Sequence, residues 1–221
     1  MSIDKTVVSC VLGDGHVSKR GSISFHHSIA QKDYLIHKLD ILSRYGFKFR
    51  VYEKASMSYG QMRNFIRADG YVSTKSKLLR GTIYPNGVKE VPPWAAHQFD
   101  FSDWALLYMD DGRQNVIRHT NNLINGERVR IECPPFVNRY EIDTQALDYR
   151  SLTLLINSLA NLGVEASLDG KGRICVRKAA SKAAFFLGVE AFIHPTMRYK
   201  VSALPSLSFT YGERLSERAL L

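Results

Sequence analysis

The chain has 221 residues, 45% of them hydrophobic and 23% charged, which is ordinary for a globular protein and enough for one large domain or two fused small ones. Lys and Arg number 30 against 21 Asp and Glu, so the formal net charge of +9 favours a polyanionic partner, either nucleic acid or an acidic membrane surface. Cys10, Cys133 and Cys175 are too few and too far apart for a disulfide framework or a zinc site, no apolar run reaches the ~18 residues of a membrane span, and the first helix starts too early to leave room for a signal peptide.

Taken in order, Asp4 is placed to cap a helix that runs to about Asp14. This helix carries the run Val7-Val8-Ser9-Cys10-Val11-Leu12-Gly13-Asp14-Gly15. Residues 22–26 alternate polar and apolar side chains, as a half-buried strand does. Residues 31–45 form a helix, with Tyr34, Leu35, Leu39 and Leu42 on one face and Gly46 as its stop. Residues 47–54 are the clearest strand: Phe47, Phe49 and Val51 point one way, and Lys48, Arg50, Tyr52 and Lys54 the other. Residues 61–68, with Arg63 and Arg67, supply its partner strand, and a helix follows over 73–80. Tyr84-Pro85-Asn86-Gly87 is a turn, and Pro92-Pro93 punctuates the chain before a second apolar run.

That second run is Trp104-Ala105-Leu106-Leu107-Tyr108-Met109-Asp110-Asp111-Gly112, and after it the order of elements repeats. Residues 139–143 read as a strand, 150–162 as a helix stopped by Gly163, 173–177 as a strand and 181–188 as a helix. Leu35 and Leu152, Leu39 and Ile156, Leu42 and Leu159, and Gly46 and Gly163 are all 117 apart (163 − 46 for the last pair). Tyr84-Pro85 and His194-Pro195 each precede a lysine, Lys89 or Lys200. Shared order, register and landmark turns indicate an internal duplication, with one half over residues 1–95 and the other over 96–221. The second copy is 20 residues longer between its motif Asp and its matched glycine (52 against 32), all within 113–138. There Asn125-Gly126 signals a hairpin, with Val116-Ile117 and residues 129–131 in its arms.

Each apolar run ends on a carboxylate followed by glycine, the expected left-handed helix stop. An Asp at a helix C-terminus is disfavoured by the helix dipole, and two such residues suggest a paired acidic site that holds cations. The two runs resemble the paired motif helices of LAGLIDADG homing endonucleases in their single-chain, two-motif form. The resemblance implies an α/β (α+β) fold of two pseudo-symmetric halves joined at the motif helices. It places the family's metal-binding carboxylate on Asp14 and Asp111, with the backbone carbonyls of Gly13 and Asp110 beside them. Small residues that allow close helix packing, Ser9 and Gly13, stand in the first copy, whereas Leu106 and Asp110 take those places in the second.

The resemblance further implies site-specific double-strand cleavage of a long asymmetric DNA target by a monomer, with Mg²⁺ or Mn²⁺ as cofactor and Ca²⁺ binding without supporting cleavage. Divalent ions on carboxylates both activate water and neutralise phosphate charge, which is what phosphodiester hydrolysis needs. Lys89 and Lys200 fall where the family has a basic residue near each scissile phosphate, and Gln145 resembles a polar residue that accompanies the metal site. The histidines lack ligand spacing and read as surface or turn residues. Lys48, Arg50, Arg63, Arg67, Arg139, Arg173 and Arg177 alternate with apolar neighbours, so one face of each sheet would be basic and the other buried, and a two-stranded ribbon fits the major groove. Arg113, Arg118, Arg128 and Arg130 in the longer hairpin extend that expectation. Two rival readings share the scaffold: a group I intron maturase that binds RNA, and a non-cleaving DNA-binding regulator. A cytoplasmic or organelle-encoded origin is expected.

Overall fold

The structure is a computed structural model that describes residues 2–58, 61–124, 127–144 and 146–201. Two helices form its centre. The first, α1 (Lys5–Leu12), is capped by Asp4, whose side chain accepts the Thr6 N–H. The second, α5 (Phe101–Asp111), begins with a capping box in which Asp100 and Asp103 satisfy each other's backbone donors. The two pack against each other along the runs singled out in the sequence, and Val7, Val8, Cys10, Val11, Trp104, Ala105 and Tyr108 are wholly buried between them and the surrounding elements. The buried Asp103 carboxylate receives polar links across this interface, from the Ser9 hydroxyl at 3.1 Å and the Lys5 ammonium at 2.8 Å.

After α1 come β1 (His16–Val17), β2 (Ile23–Ser28), α2 (Lys32–Arg44), β3 (Phe49–Ser58), β4 (Gln61–Gly70) and α3 (Thr74–Ile83). After α4 (Pro93–Gln98) and α5 come β5 (Gly112–Ile124), β6 (Glu127–Ile142), α6 (Tyr149–Asn161), β7 (Ser167–Leu168), β8 (Ile174–Val176) and α7 (Ala179–Glu190). Each half makes one antiparallel four-stranded sheet. The orders, β1-β2-β4-β3 and β5-β6-β8-β7, are the same order written twice, so the duplication read from landmark residues is a duplication of topology. Gly46 (φ 82°) and Gly163 (φ 76°) both take the left-handed conformation that ends α2 and α6, as matched stops should.

The halves differ in which hairpin is long. In the first, β3 and β4 have 10 residues each and β1 has 2; in the second, β5 and β6 have 13 and 16, and β7 and β8 only 2 and 3. The extra residues of the second copy therefore lengthen the hairpin that is shortest in the first. The pairing runs from Gly112 opposite Ile142 to Ile124 opposite Glu127, well beyond the short arms expected, while the Asn125-Gly126 turn lies outside the described residues. Register shifts at Asn115/Val116 and Ile117/His119 kink this ribbon, the second facing Pro134 and Pro135, which cannot donate to a ladder.

Several expectations need correction. Helix α1 stops at Leu12, so Asp14 lies just past the helix, whereas Asp111 is the last residue of α5. The glycines after the two acids are not left-handed stops: Gly112 has φ −84°, and Gly15 is not among the positive-φ glycines. They are required for space, since a Cβ would overlap Tyr108 at Gly112, and Val11 and Phe25 at Gly15. The strand expected over 47–54 begins at Phe49 and runs to Ser58, and its apolar face is only partly covered: Phe47, just before it, is buried, Phe49 is half-buried and Val51 is 39% exposed. The helix expected over 73–80 runs on to Ile83, and the one expected over 181–188 extends from Ala179 to Glu190.

Candidate active site

The close approach of α1 and α5 brings Asp14 and Asp111 to one end of the helix pair. Gly13 makes this possible, because a Cβ there would overlap the Asp110 carboxylate. The Asp14 N–H donates to Asp110 Oδ2 at 3.1 Å, tying the chain just past one motif helix to the end of the other. Burial raises the pKa of Asp111 to about 7, and the nearby Asp14 and Asp110 carboxylates push it the same way. Asp14 is raised for the same reasons, burial first and then Asp110. Two carboxylic acids that resist ionising beside each other form a site whose charge a cation would relieve.

Both expected lysines are here, brought from 77 and 90 residues away. Lys89 donates to the carbonyls of Leu12, Gly13 and Gly15 at 2.6–2.8 Å, and Lys200 to the carbonyl of Asp110 at 2.7 Å. The lysines thus cap the C-terminal ends of the two motif helices, where a cation opposes the negative end of the dipole. Burial lowers both pKa values, that of Lys89 to about 8. Each lysine bonds the carbonyls of its own half's motif segment, and the carboxylates offset part of the burial: Asp111 foremost among the acids for Lys89, and Asp110, then Asp14 and Asp111, for Lys200. The carbonyls of Gly13 and Asp110, expected beside a metal, accept from these ammonium groups in the structure.

Two features escaped the sequence reading. His27, taken as a surface residue, is 4% exposed and lies on the covered face of β2, with Nδ1 3.7 Å from Asp14 Oδ2. Its alternation with Ile23 and Phe25 on one face of the strand was the available signal. Burial holds its pKa below the usual histidine value, with the Lys38 charge adding to the effect. Asp14, His27 and Asp110 lie within 4.8 Å of one another, the one such His/Cys/Asp/Glu group among the described residues. The Asp110 carboxylate in it is fully occupied: it accepts from Lys38 Nζ at 2.6 and 2.9 Å and from the Tyr34 hydroxyl at 2.7 Å, and neither its side chain nor that of Lys38 is accessible. The helical spacing of α2 carried the signal, since Lys38 stands on the same face as Tyr34, Leu35 and Leu42. Gln145 lies outside the described residues.

The basic residues divide into two groups. Lys48, Arg50, Arg63, Arg118, Arg128, Arg130 and Arg177 are exposed, and Arg118, Arg128 and Arg130 stand along the β5/β6 ribbon. Arg113, Arg139 and Arg173 instead converge on the buried Glu141, at 2.6, 2.5 and 2.9 Å, with Arg173 also on Asp169. Arg67 bonds Asp69, which accepts from Tyr52 as well. These four are oriented by carboxylates of their own sheet, so the expected uniformly basic face is partly neutralised from within.

No curated protein matches the sequence. Among solved structures, "The homing endonuclease I-WcaI bound to its DNA recognition sequence" superposes with a TM-score of 0.66 at 20% identity, covering 94% of this chain and 86% of that one, a likeness of fold. The family model described as "LAGLIDADG DNA endonuclease family" matches residues 6–184, a span that contains both motif helices, both sheets and Lys89. The chain belongs to the LAGLIDADG DNA endonuclease family.

Proposed function

We propose that the protein is a site-specific endonuclease that makes a double-strand cut in a long, asymmetric DNA target, using Mg²⁺ or another divalent metal. The observation that carries this reading is the pairing of Asp14 and Asp111 at adjoining helix ends, with a largely buried lysine, Lys89 or Lys200, bonded to the carbonyls at the end of each motif segment. The donor set fits a hard divalent cation: carboxylate and carbonyl oxygens, with the Asp14 side chain still 36% exposed and the Asp111 pKa raised to about 7 by burial and then by the Asp14 and Asp110 carboxylates. A bound divalent ion supplies an activated water and neutralises charge on the phosphate and the leaving oxygen. Asp14 and Asp111 would hold it. Lys89 and Lys200 would stabilise the developing phosphate charge, and the Lys89 pKa of about 8 also suits it to exchange a proton near neutral pH.

The two ribbons supply the DNA contacts in this reading. Exposed residues such as Arg50, Arg118, Arg128 and Arg130 would contact phosphates or base edges, and the arginines clamped on Glu141 would present fixed donors. The long β5/β6 ribbon against the shorter β3/β4 ribbon supports a target with unequal arms. Digestion of a plasmid library with Mg²⁺ tests the proposal. Discrete cuts with both strands broken are expected, while sequence-specific binding without cutting would mean a regulator, and preference for structured intron RNA would mean a maturase.

A further inference from the structure

The two acids are held by different devices. Asp111 ends a helix, and its carbonyl accepts the Asp143 N–H at 3.0 Å. Asp14 lies past the end of α1, and its N–H is held by the Asp110 carboxylate. That carboxylate is in turn locked by Lys38 and Tyr34 of α2, with the Lys38 ammonium also 4.7 Å above the Phe25 ring.

The duplication shows that this cluster belongs to one half alone. The residue that matches Asp110 in the other motif is Gly13, 97 positions earlier (110 − 13). The residue that matches Lys38 in the other half is Leu155, 117 positions later (155 − 38), and Tyr34 is matched by Ser151, whose hydroxyl accepts the Val91 N–H instead. Gly13 and Leu155 border a cavity of about 260 Å³ next to Asp111 and Lys89, at the place where the first half has its ion pair.

We infer that Lys38, Asp110 and Tyr34 form a positioning unit for Asp14 only, so that removing their charges turns a double-strand endonuclease into a single-strand nickase. This inference rests on the endonuclease reading. A buried ion pair contributes little net stability but leaves a costly orphan when one partner is removed, so the two charges are best removed together. In the double variant Lys38→Met/Asp110→Ala, the Tyr34 hydroxyl keeps a second acceptor, the Leu106 carbonyl at 3.3 Å.

The test uses the full chain and an end-labelled duplex carrying a cut site recovered from the library digestion, with each strand followed separately. Thermal melting and target binding serve as controls on folding. The expected result is at least a tenfold slower cut on one strand, a rate within twofold of wild type on the other, and nicked product that accumulates. Tyr34→Phe, which removes one of the hydrogen bonds to Asp110, slows the same strand to a smaller degree. Equal slowing of both strands, or of neither, overturns the inference, because a general loosening of the fold has no reason to choose a strand.

Amide hydrogen exchange reads the geometry without any cleavage. The Asp14 amide exchanges at least tenfold faster in the double variant while the Asp111 amide is unaltered, and no change at Asp14 overturns the positioning role. Failure of the wild-type protein to cut any DNA would sink the endonuclease reading alone, leaving exchange to decide whether the cluster pins Asp14.

Discussion

At the scale of single residues, charge that has been taken out of water governs this site. Asp14→Asn and Asp111→Asn should each abolish double-strand cleavage while leaving target affinity within a few-fold, because the acids sit at the helix ends and the basic ribbons lie elsewhere; wild-type linearisation of a target plasmid by either variant would refute the two-acid assignment. Asp111 also makes a pH prediction. Its native pKa of about 7 is above the ordinary carboxylate value, so its contribution to the stability of the metal-free fold is fully present below pH 4 and lost as pH rises through 7. In chelator, Asp111→Asn should therefore melt above wild type at pH 8, and the gap should narrow at pH 5 and vanish only below pH 4; melting curves at pH 8 and pH 5 check the sign. The Lys38–Asp110 pair predicts the opposite of a surface salt bridge. Lys38→Met alone strands a buried carboxylate and should cost about 3–5 kcal/mol in denaturant unfolding, most of it recovered when Asp110→Ala is added.

At the scale of elements, the motif helices and the ribbons carry separate tasks, and the long hairpin is where they can be tested apart. β5 and β6 pair through residues that the shorter half lacks, and their exposed Arg118, Arg128 and Arg130 stand away from the acids at the helix ends. Deleting residues 116–130 should shorten the footprint and relax sequence preference on that outer flank, with the central cut retained. An unchanged footprint and unchanged flank specificity would make the hairpin an ornament. The shortened pair still has the Gly112–Asn115 pairing opposite Arg139–Ile142 to anchor it to the sheet.

For the whole molecule, the formal charge of +9 predicts binding to DNA that weakens steeply with salt, with a logarithmic slope of about −0.9 for each phosphate contact as counterions are released. The internal pairing of Arg67, Arg113, Arg139 and Arg173 sets the expected slope below what the count of basic residues would give. Filter binding of duplexes from low to moderate salt measures it, and a flat profile would exclude the nucleic-acid reading. Glu141→Gln should raise the slope on non-specific DNA and lower sequence discrimination, since it frees three guanidinium groups from the carboxylate that orients them.

The duplication and the two motif helices were legible in the sequence, because they depend on local pattern: apolar periodicity, matched stops and matched turns. The stops at Gly46 and Gly163 are local because a left-handed glycine is a property of a few neighbouring residues. Asp14, Asp111, Lys89 and Lys200 were picked out with the help of the family resemblance. What only the tertiary structure decided are properties of surfaces that meet from distant parts of the chain. Lys38 stands on the apolar face of α2 and His27 on that of β2, but that Lys38 meets Asp110 and His27 meets Asp14 depends on how those faces close. Gly15 and Gly112 read as turn formers but are there because packed side chains leave no room for a Cβ. The arginines of the second sheet alternate as a wet face should, yet a single glutamate gathers three of them, one from its own strand and two from across the sheet. Local pattern records which side of an element is apolar. Which charge is buried, and against what, is decided when the elements close on one another and exclude water.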